Sequence, residues 1–532
     1  MSSGLYSGVS GLALGVGLTK GVSGLWGGAS GLIAGFGGTP FSPASLFAAG
    51  EQGYWLDPSD FTTMFQDAAG ATPVTATGQS VRRMLDKSGR GNHFTQANTA
   101  NAPILGREPF GGRRNLATST EQFDNAVWVK NATGTLLRNE TDPTGAANSA
   151  TTLVADSAGG TAQVYAQQVF STTLGVSYTM SAYVKQGTQR YAVINIFNGF
   201  ANASLWFDLQ AGTSGVLAGS GAAASIAGAG NGWFRCVVTA TATSTTSAAT
   251  IRIAIADDNT DVNFITPRNG TSSILVWGAQ LEIGSTATAY QRVTTAFDVT
   301  QAGVPDCYYL QYDGSDDWLQ SAATINPGAV DKAQVFAGVR KLSDAGDQAL
   351  LETSAGASFN NGAISLFAPV SGGANYNYGS RGTTFRGITA TTFTAPITNV
   401  VTGISDISGD AAQIRVNGAV AGTNTGDQGT GDYLTYTHYI GRRGGTSLPF
   451  NGRVYQMVMR FGPNLTAGQI TQTENYVAGE TGIYNVEQLN RFAVIDASGA
   501  SFNAYGAADA SSNNYLVPKT VLAADGTPYS VL

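Results

Sequence analysis

Charge is scarce in this sequence: Asp, Glu, Lys and Arg make up 12% of its 532 residues, against a typical share of about 25%. The 28 basic residues are outnumbered by 35 acidic ones, for a net charge of -7, and are scattered singly or in pairs. No electrostatic footprint for a nucleic-acid backbone results, so nucleic acid is not an expected partner. Histidine is nearly missing. His93 and His438 are the only two, and neither stands in a nucleophile or zinc motif, which disfavours a His-dependent hydrolase. The two cysteines, Cys236 and Cys307, lie far apart without metal or redox spacing; this excludes a disulfide-stapled scaffold and fits folding in a reducing cytoplasm. The first residues offer neither a charged leader nor an uninterrupted apolar run, so no signal peptide or membrane span is expected.

Glycine is abundant, with 69 residues, nearly twice the usual share of about 7%. Together with 42% apolar and 10% aromatic residues, this describes a folded but turn-rich chain. Residues 1–40 are repetitive: Ser3-Gly4-Leu5, Ser10-Gly11-Leu12, Ser23-Gly24-Leu25 and Ser30-Gly31-Leu32 recur at a period near seven. A lone helix is disfavoured, because each Gly costs about 1 kcal/mol relative to Ala. Close packing against copies of itself or a partner surface suits such a strip. It reads as an assembly or anchor segment with Leu5, Leu12, Leu25, Trp26 and Leu32 as its contacts, the alternative being a flexible linker.

After this segment, turn chemistry dominates to about Phe110, with one short helix expected near Asp60 to Gln66. Strand-like runs then alternate with Gly, Ser, Thr and Ala turns, among them Tyr178 to Val184, Tyr191 to Phe197 and Ile274 to Leu281. In Ile251-Arg252-Ile253-Ala254-Ile255 the period is two, with Ile on one face. A second set runs from Tyr308 to Met459, with a hairpin signal at Asn417-Gly418. Thr466 and Gln469 have capping-box spacing before the one convincing helix, whose Ile470, Thr473 and Val477 share a face. Many short strands at close spacing predict antiparallel sandwiches.

Particular stretches go further. Asp86-Lys87-Ser88-Gly89-Arg90-Gly91-Asn92-His93, Leu310 to Leu319, Val416-Asn417-Gly418 and Phe450 to Tyr455 together resemble a laminin-G-like, concanavalin-type jelly roll. The block from Arg114-Asn115-Leu116 to Val276-Trp277-Gly278-Ala279-Gln280-Leu281-Glu282 resembles a carbohydrate-binding-module-like jelly roll. Such paired modules, behind a Ser-Gly-Leu repeat and Tyr54-Trp55-Leu56-Asp57-Pro58, look like fibre or spike proteins of tailed phages and prophages. The expected fold is mainly β: two antiparallel jelly-roll sandwiches, one inserted in the other. The divisions are 1–40, an anchor segment; 41–112 with 296–485, the laminin-G-like sandwich; 113–295, the inserted sandwich; and 486–532, a small C-terminal unit.

Candidate site residues follow from chemistry. Asp313, Asp316 and Asp317 share a tight loop with Gly314; they either supply oxygens to a Ca²⁺ ion or hold the turn through side-chain to backbone bonds. Adjacent Asp316 and Asp317 would point to opposite faces of a strand, so they do not read as a glycosidase pair. Sugar rings stack on aromatic faces, which nominates Trp206, Trp233, Tyr183 and Tyr191 in the inserted sandwich and Tyr376, Tyr378 and Trp318 in the outer one, each also suited to a core. Arg442-Arg443 before Gly444-Gly445 would place two donor forks on a loop, for an acidic glycan or for a turn.

What the resemblance implies is a non-catalytic structural protein at the virion surface, assembled in the bacterial cytoplasm. It would adhere to host-surface polysaccharide, form a homo-oligomer, most simply a trimer, and contact other virion proteins through residues 1–40. A tailspike-like polysaccharide depolymerase and a ligand-free decoration protein are the rivals.

Overall fold

The computed structural model describes residues 41–219, 221–354 and 360–483, and beyond them the backbone of four short strands, Ala493–Ile495, Ser501–Asn503, Val521–Leu522 and Pro528–Tyr529. The expected anchor contacts Leu5, Leu12, Leu25, Trp26 and Leu32, and most of 486–532, lie outside the described residues. The chain is mainly β, in several antiparallel sheets. Its contacts divide it into two compact units, Met1–Gly111 with Pro305–Leu532, and Gly112–Val304.

In the first unit the strand Gln52–Leu56 lies antiparallel to Asn451–Phe461, with Tyr54 opposite Met459. Asn451–Phe461 is flanked by Lys332–Lys341 on one side and by Asp306–Asp313 on the other. A second sheet contains His438–Ile440, Ala349–Thr353, Ile364–Phe367 and Asn375–Arg381. Tyr54, Val335 and Met457 of the first sheet pack with Phe94, Leu351 and Tyr378 of the second in one core. Such alternation buries every second side chain of each strand and leaves the other face to be covered or solvated.

That other face of the first sheet is covered by the helix Ala467–Thr481, whose Val477 and Ala478 meet Trp55, Phe336, Val400 and Val458. Thr466 and Gln469 form the capping box their spacing predicts, satisfying donors that the helix start leaves open. Gly338 makes the close approach feasible: a Cβ there would collide with Thr481 Oγ1. Asn417 and Gly418, with φ of 50° and 83°, turn Ala411–Val416 into Ala419–Asn424. Near Asp60 the expected short helix shrinks to one 3₁₀ turn, Phe61–Thr63. Met64, fully buried, then carries the chain into a strand, because core burial overrides the local helical signal.

The second unit holds two six-stranded antiparallel sheets. One runs Thr213–Ala218, Ala203–Asp208, Tyr191–Phe197, Thr246–Ala256, Tyr165–Thr172, Val129–Asn131 in spatial order. The other includes Trp233–Thr241, Ser177–Gln186 and Ser273–Ile283. Ile251, Ile253 and Ile255 pack inward with Ile194, Met180, Val238 and Leu281. The intervening residues of the Ile-rich strand therefore face outward.

Candidate functional site

Strand register builds the site on the outer face of the Tyr191–Phe197 sheet. Tyr165 is paired with Ala254, Ala254 with Val193, Val193 with Trp206, and Trp206 with Gly215. Directly paired residues share a face, so these side chains form one row across five strands. Tyr165 and Trp206 stand three strand spacings, about 14 Å, apart in it. Phe264 packs on Val193, Ala254 and Ala256 as an apolar floor, with half-exposed Tyr165, Tyr191 and Trp206 around it. The indole of Trp206 lies across Gly215, where a Cβ would come within 2.7 Å of the ring. A side chain at 215 would lift the indole from the sheet, so glycine there is its seat.

A polar row runs alongside. Gln167 and Asn195 each pair with Arg252, and Asn195 also pairs with Ser204. The Arg252 guanidinium lies 4.8 Å from the Tyr165 ring centre and 4.9 Å from that of Phe197, and its Nε donates to Gln167 Oε1 at 2.8 Å. Arg190, 5.2 Å over the Tyr191 ring, is instead neutralised by Asp208 through bonds of 2.8 and 2.5 Å. That pairing, with two backbone N–H groups donating to the carboxylate, holds Asp208 down at about 2. Aromatic rings, a fixed guanidinium and amides on one surface can stack a sugar ring and bond its hydroxyls.

Of the aromatic candidates, only Trp206 and Tyr191 belong to this face. Tyr376 and Tyr378 are fully buried in the first unit's core, with hydroxyls bonded to Asn399 Oδ1 and to Ser405 Oγ. No ring face remains for a ligand, which corrects their assignment as sugar-binding residues; the two-residue spacing puts both on the inner face of Asn375–Arg381. Trp233 is likewise corrected: it is 1% exposed and gives its Nε1–H to Thr141 O, in a cluster with Trp277, Tyr183 and Tyr290. Tyr165, Gln167, Asn195 and Arg252 were missed. For Arg252 the signal was present, since Ile on one face of Ile251–Ile255 forces Arg252 onto the other.

In the first unit two loops adjoin. Gly441 backs on Tyr312 and Asp317, and Trp318 stands over Gly445 and 5.9 Å from the Tyr439 ring. Arg442 is half-buried, with Nη2 donating to Thr446 O. Arg443 pairs with buried Glu352 at 3.1 Å, so its fork is engaged within the fold. Asp313 Oδ1 accepts from Ser315 and Asp316 N–H, and Asp317 Oδ2 from Asp313 N–H, which are turn-holding bonds. Carboxylate oxygens of Asp313, Asp316 and Asp317 also lie within 4.8 Å of one another, a spacing that Ca²⁺ ligands about 2.3–2.6 Å from one ion can span.

Burial and the Asp313 and Asp316 charges push Asp317 from 3.8 up to about 7. Because the folded value is raised, the ionised form opposes folding. This penalty is absent below about pH 4 and complete above about pH 7. Asp317→Asn is therefore expected to match the parent in melting temperature at pH 4 and exceed it at pH 8. If the three carboxylates hold Ca²⁺, adding the ion at pH 8 raises the parent's melting temperature and leaves the variant's unchanged; no shift in the parent leaves the loop a turn only.

No protein-family model matches the chain, and no curated protein matches it. Among solved structures it is similar to a sialidase CBM40 of Ruminococcus gnavus bound to α2,3-sialyllactose, with TM-score 0.24, 17% identity, and coverage of 27% of this chain and 83% of that one. It is also similar to the receptor-binding domain of botulinum neurotoxin mosaic serotype C/D (TM-score 0.25, 12% identity, 31% of this chain and 41% of that). A third is the heptameric SAP-like pentraxin from Limulus polyphemus (TM-score 0.25, 13% identity, 30% and 78%). The strand registers and cores themselves define the class, an antiparallel β-sandwich protein of two compact units.

Proposed function

We propose that the chain is a non-catalytic adhesion protein that binds glycans on the outer face of the Tyr191–Phe197 sheet. The observation that carries this reading is the row of Tyr165 and Trp206 around an apolar floor, beside Gln167, Asn195 and Arg252. A sugar laid on the Trp206 indole would keep its C–H face on the ring and turn its hydroxyls to the polar row. The sequence resemblance, over most of residues 1–485, extends the reading to a tail or head fibre or spike of a tailed phage or prophage, displayed on the virion and held to it through residues 1–40. A trimer would multiply weak single sites, because each bound arm raises the effective concentration of the next.

The full chain, screened against bacterial surface polysaccharides, is expected to bind a subset. Trp206→Ala should weaken that binding roughly tenfold, from about 1.5 kcal/mol of lost ring contact, without lowering the melting temperature of the second unit. Unchanged binding by Trp206→Ala would remove this face as the site. Antibody labelling of intact particles checks the virion assignment, and unlabelled particles would end it.

A further inference from the structure

Arg252 differs from its neighbour Arg190 in one respect that decides what the face recognises. Both guanidinium groups lie against aromatic rings, but Arg190 is spent on Asp208, whereas no carboxylate among the described residues lies within ion-pair distance of Arg252. Its Nε is committed to Gln167 Oε1, and Tyr165 and Phe197 flank the group. The guanidinium is thus fixed in orientation, and Nη1 and Nη2 have no partner among the described residues. A fixed cation on a half-exposed apolar surface, with its outer edge unmatched, is a receptor for a planar anion.

Two further orphans lie on the same face. Asn195 is 1% exposed; its Nδ2 donates to Asn202 Oδ1 and Ser204 Oγ, yet its Oδ1 has no partner. Thr250, 5% exposed and paired with Phe197, has an unpartnered hydroxyl. Buried polar atoms are ordinarily satisfied, so these two, beside an unpaired guanidinium, point to a polar ligand with both donors and acceptors. A sugar acid has this combination, a carboxylate to accept from the guanidinium and neighbouring hydroxyls to donate to Asn195 Oδ1.

We propose that the outer face of the second unit selects glycans that bear carboxylated sugars, with Arg252 Nη1 and Nη2 receiving the carboxylate while Trp206 and Tyr165 stack neighbouring rings. The inference rests on the glycan-binding reading and adds the substrate class. Its test uses the full chain with alginate and polygalacturonate, the same polymers after carboxyl reduction, and dextran sulfate. The native polymers should bind about tenfold or more tightly than their reduced forms. Arg252→Gln should erase that preference, so that native and reduced polymers bind the variant alike, with an unaltered melting temperature showing that the fold is intact. Arg252→Lys keeps the charge but not the fork and should retain only part of the preference.

Equal binding of native and reduced polymers, or no effect of Arg252→Gln, would overturn the carboxylate assignment and leave glycan binding standing. Dextran sulfate bound as tightly through Arg252 would make the site a general anion receptor and overturn the selectivity. Failure of every polymer, charged or reduced, would remove both readings.

Discussion

Asp86→Ala is expected to cost the first unit about 4 kcal/mol or more, which would lower its melting temperature by roughly 10 °C. The Asp86 carboxylate, 9% exposed, accepts from Trp55 N, Ser88 N, Ser88 Oγ and Asn92 N at 2.7 to 3.0 Å. Hydrogen bonds to a charged acceptor contribute about 1.5–3 kcal/mol each, and the bonds here share a single acceptor group, so the total is less than their sum. The loss would spread. Asn92 Nδ2 donates to Gly53 O, Lys87 N to Trp55 O, and Lys87 Nζ pairs with Asp57 at 2.6 Å and lies 4.4 Å over the Trp55 ring. The segment Asp86 to His93 is thus a clasp on the strand Gln52–Leu56. Asp86→Asn keeps an acceptor oxygen in place and should lose about half as much. Denaturant unfolding of both variants measures this, and a loss under about 1 kcal/mol for Asp86→Ala would show that the clasp is not needed.

The second large effect concerns acid. His438 is fully buried, with Tyr54 and Phe461 ring centres 5.6 and 5.8 Å away, and neither ring nitrogen has a partner. Burial pushes its pKa from 6.5 down to about 3. A depressed histidine stays neutral in the fold while the unfolded chain takes up the proton. Its contribution to stability is therefore complete above about pH 6.5 and is lost as pH falls toward 3. Each pH unit in that window should lower the folding constant up to about tenfold. His438→Leu, of similar volume, should flatten this slope and leave stability at pH 7 equal or higher, since two unsatisfied buried atoms disappear. An unchanged slope between pH 6 and 4 would show that other groups set the acid response. His93 is a lesser contributor: its Nδ1 accepts Asp86 N–H, and burial and then Arg83 lower its pKa.

How much of this was legible varies by residue. Local signals were sufficient where one stretch of chain decides the outcome, as at Asn417-Gly418, Thr466 with Gln469, and the Ile251–Ile255 alternation. Tyr376-Asn377-Tyr378 stands among Gly and Asn, which favour loops, but its period of two is the stronger signal, and both rings turn inward. The proposed binding face was not legible. Trp206 and Tyr165 meet on one row only because Ala203–Asp208, Tyr191–Phe197, Thr246–Ala256 and Tyr165–Thr172 are neighbours in that order, and such non-local pairing leaves no trace in composition or spacing. The outward position of Arg252 was legible from the Ile251–Ile255 alternation, but that no carboxylate among the described residues pairs with it shows only in the fold, where Asp208 serves Arg190.

Trp55 gives its indole N–H to Gln456, 401 positions along the chain. During synthesis at about 5–20 residues per second, the Gln52 strand must wait roughly 20 to 80 s for the strand that completes its sheet. Residues Gly112–Val304 are contiguous and emerge whole within that interval. On the ribosome the second unit therefore has its full set of partners first, while the opening strand of the first waits for its sheet partner with only the Asp86 to His93 clasp to hold it.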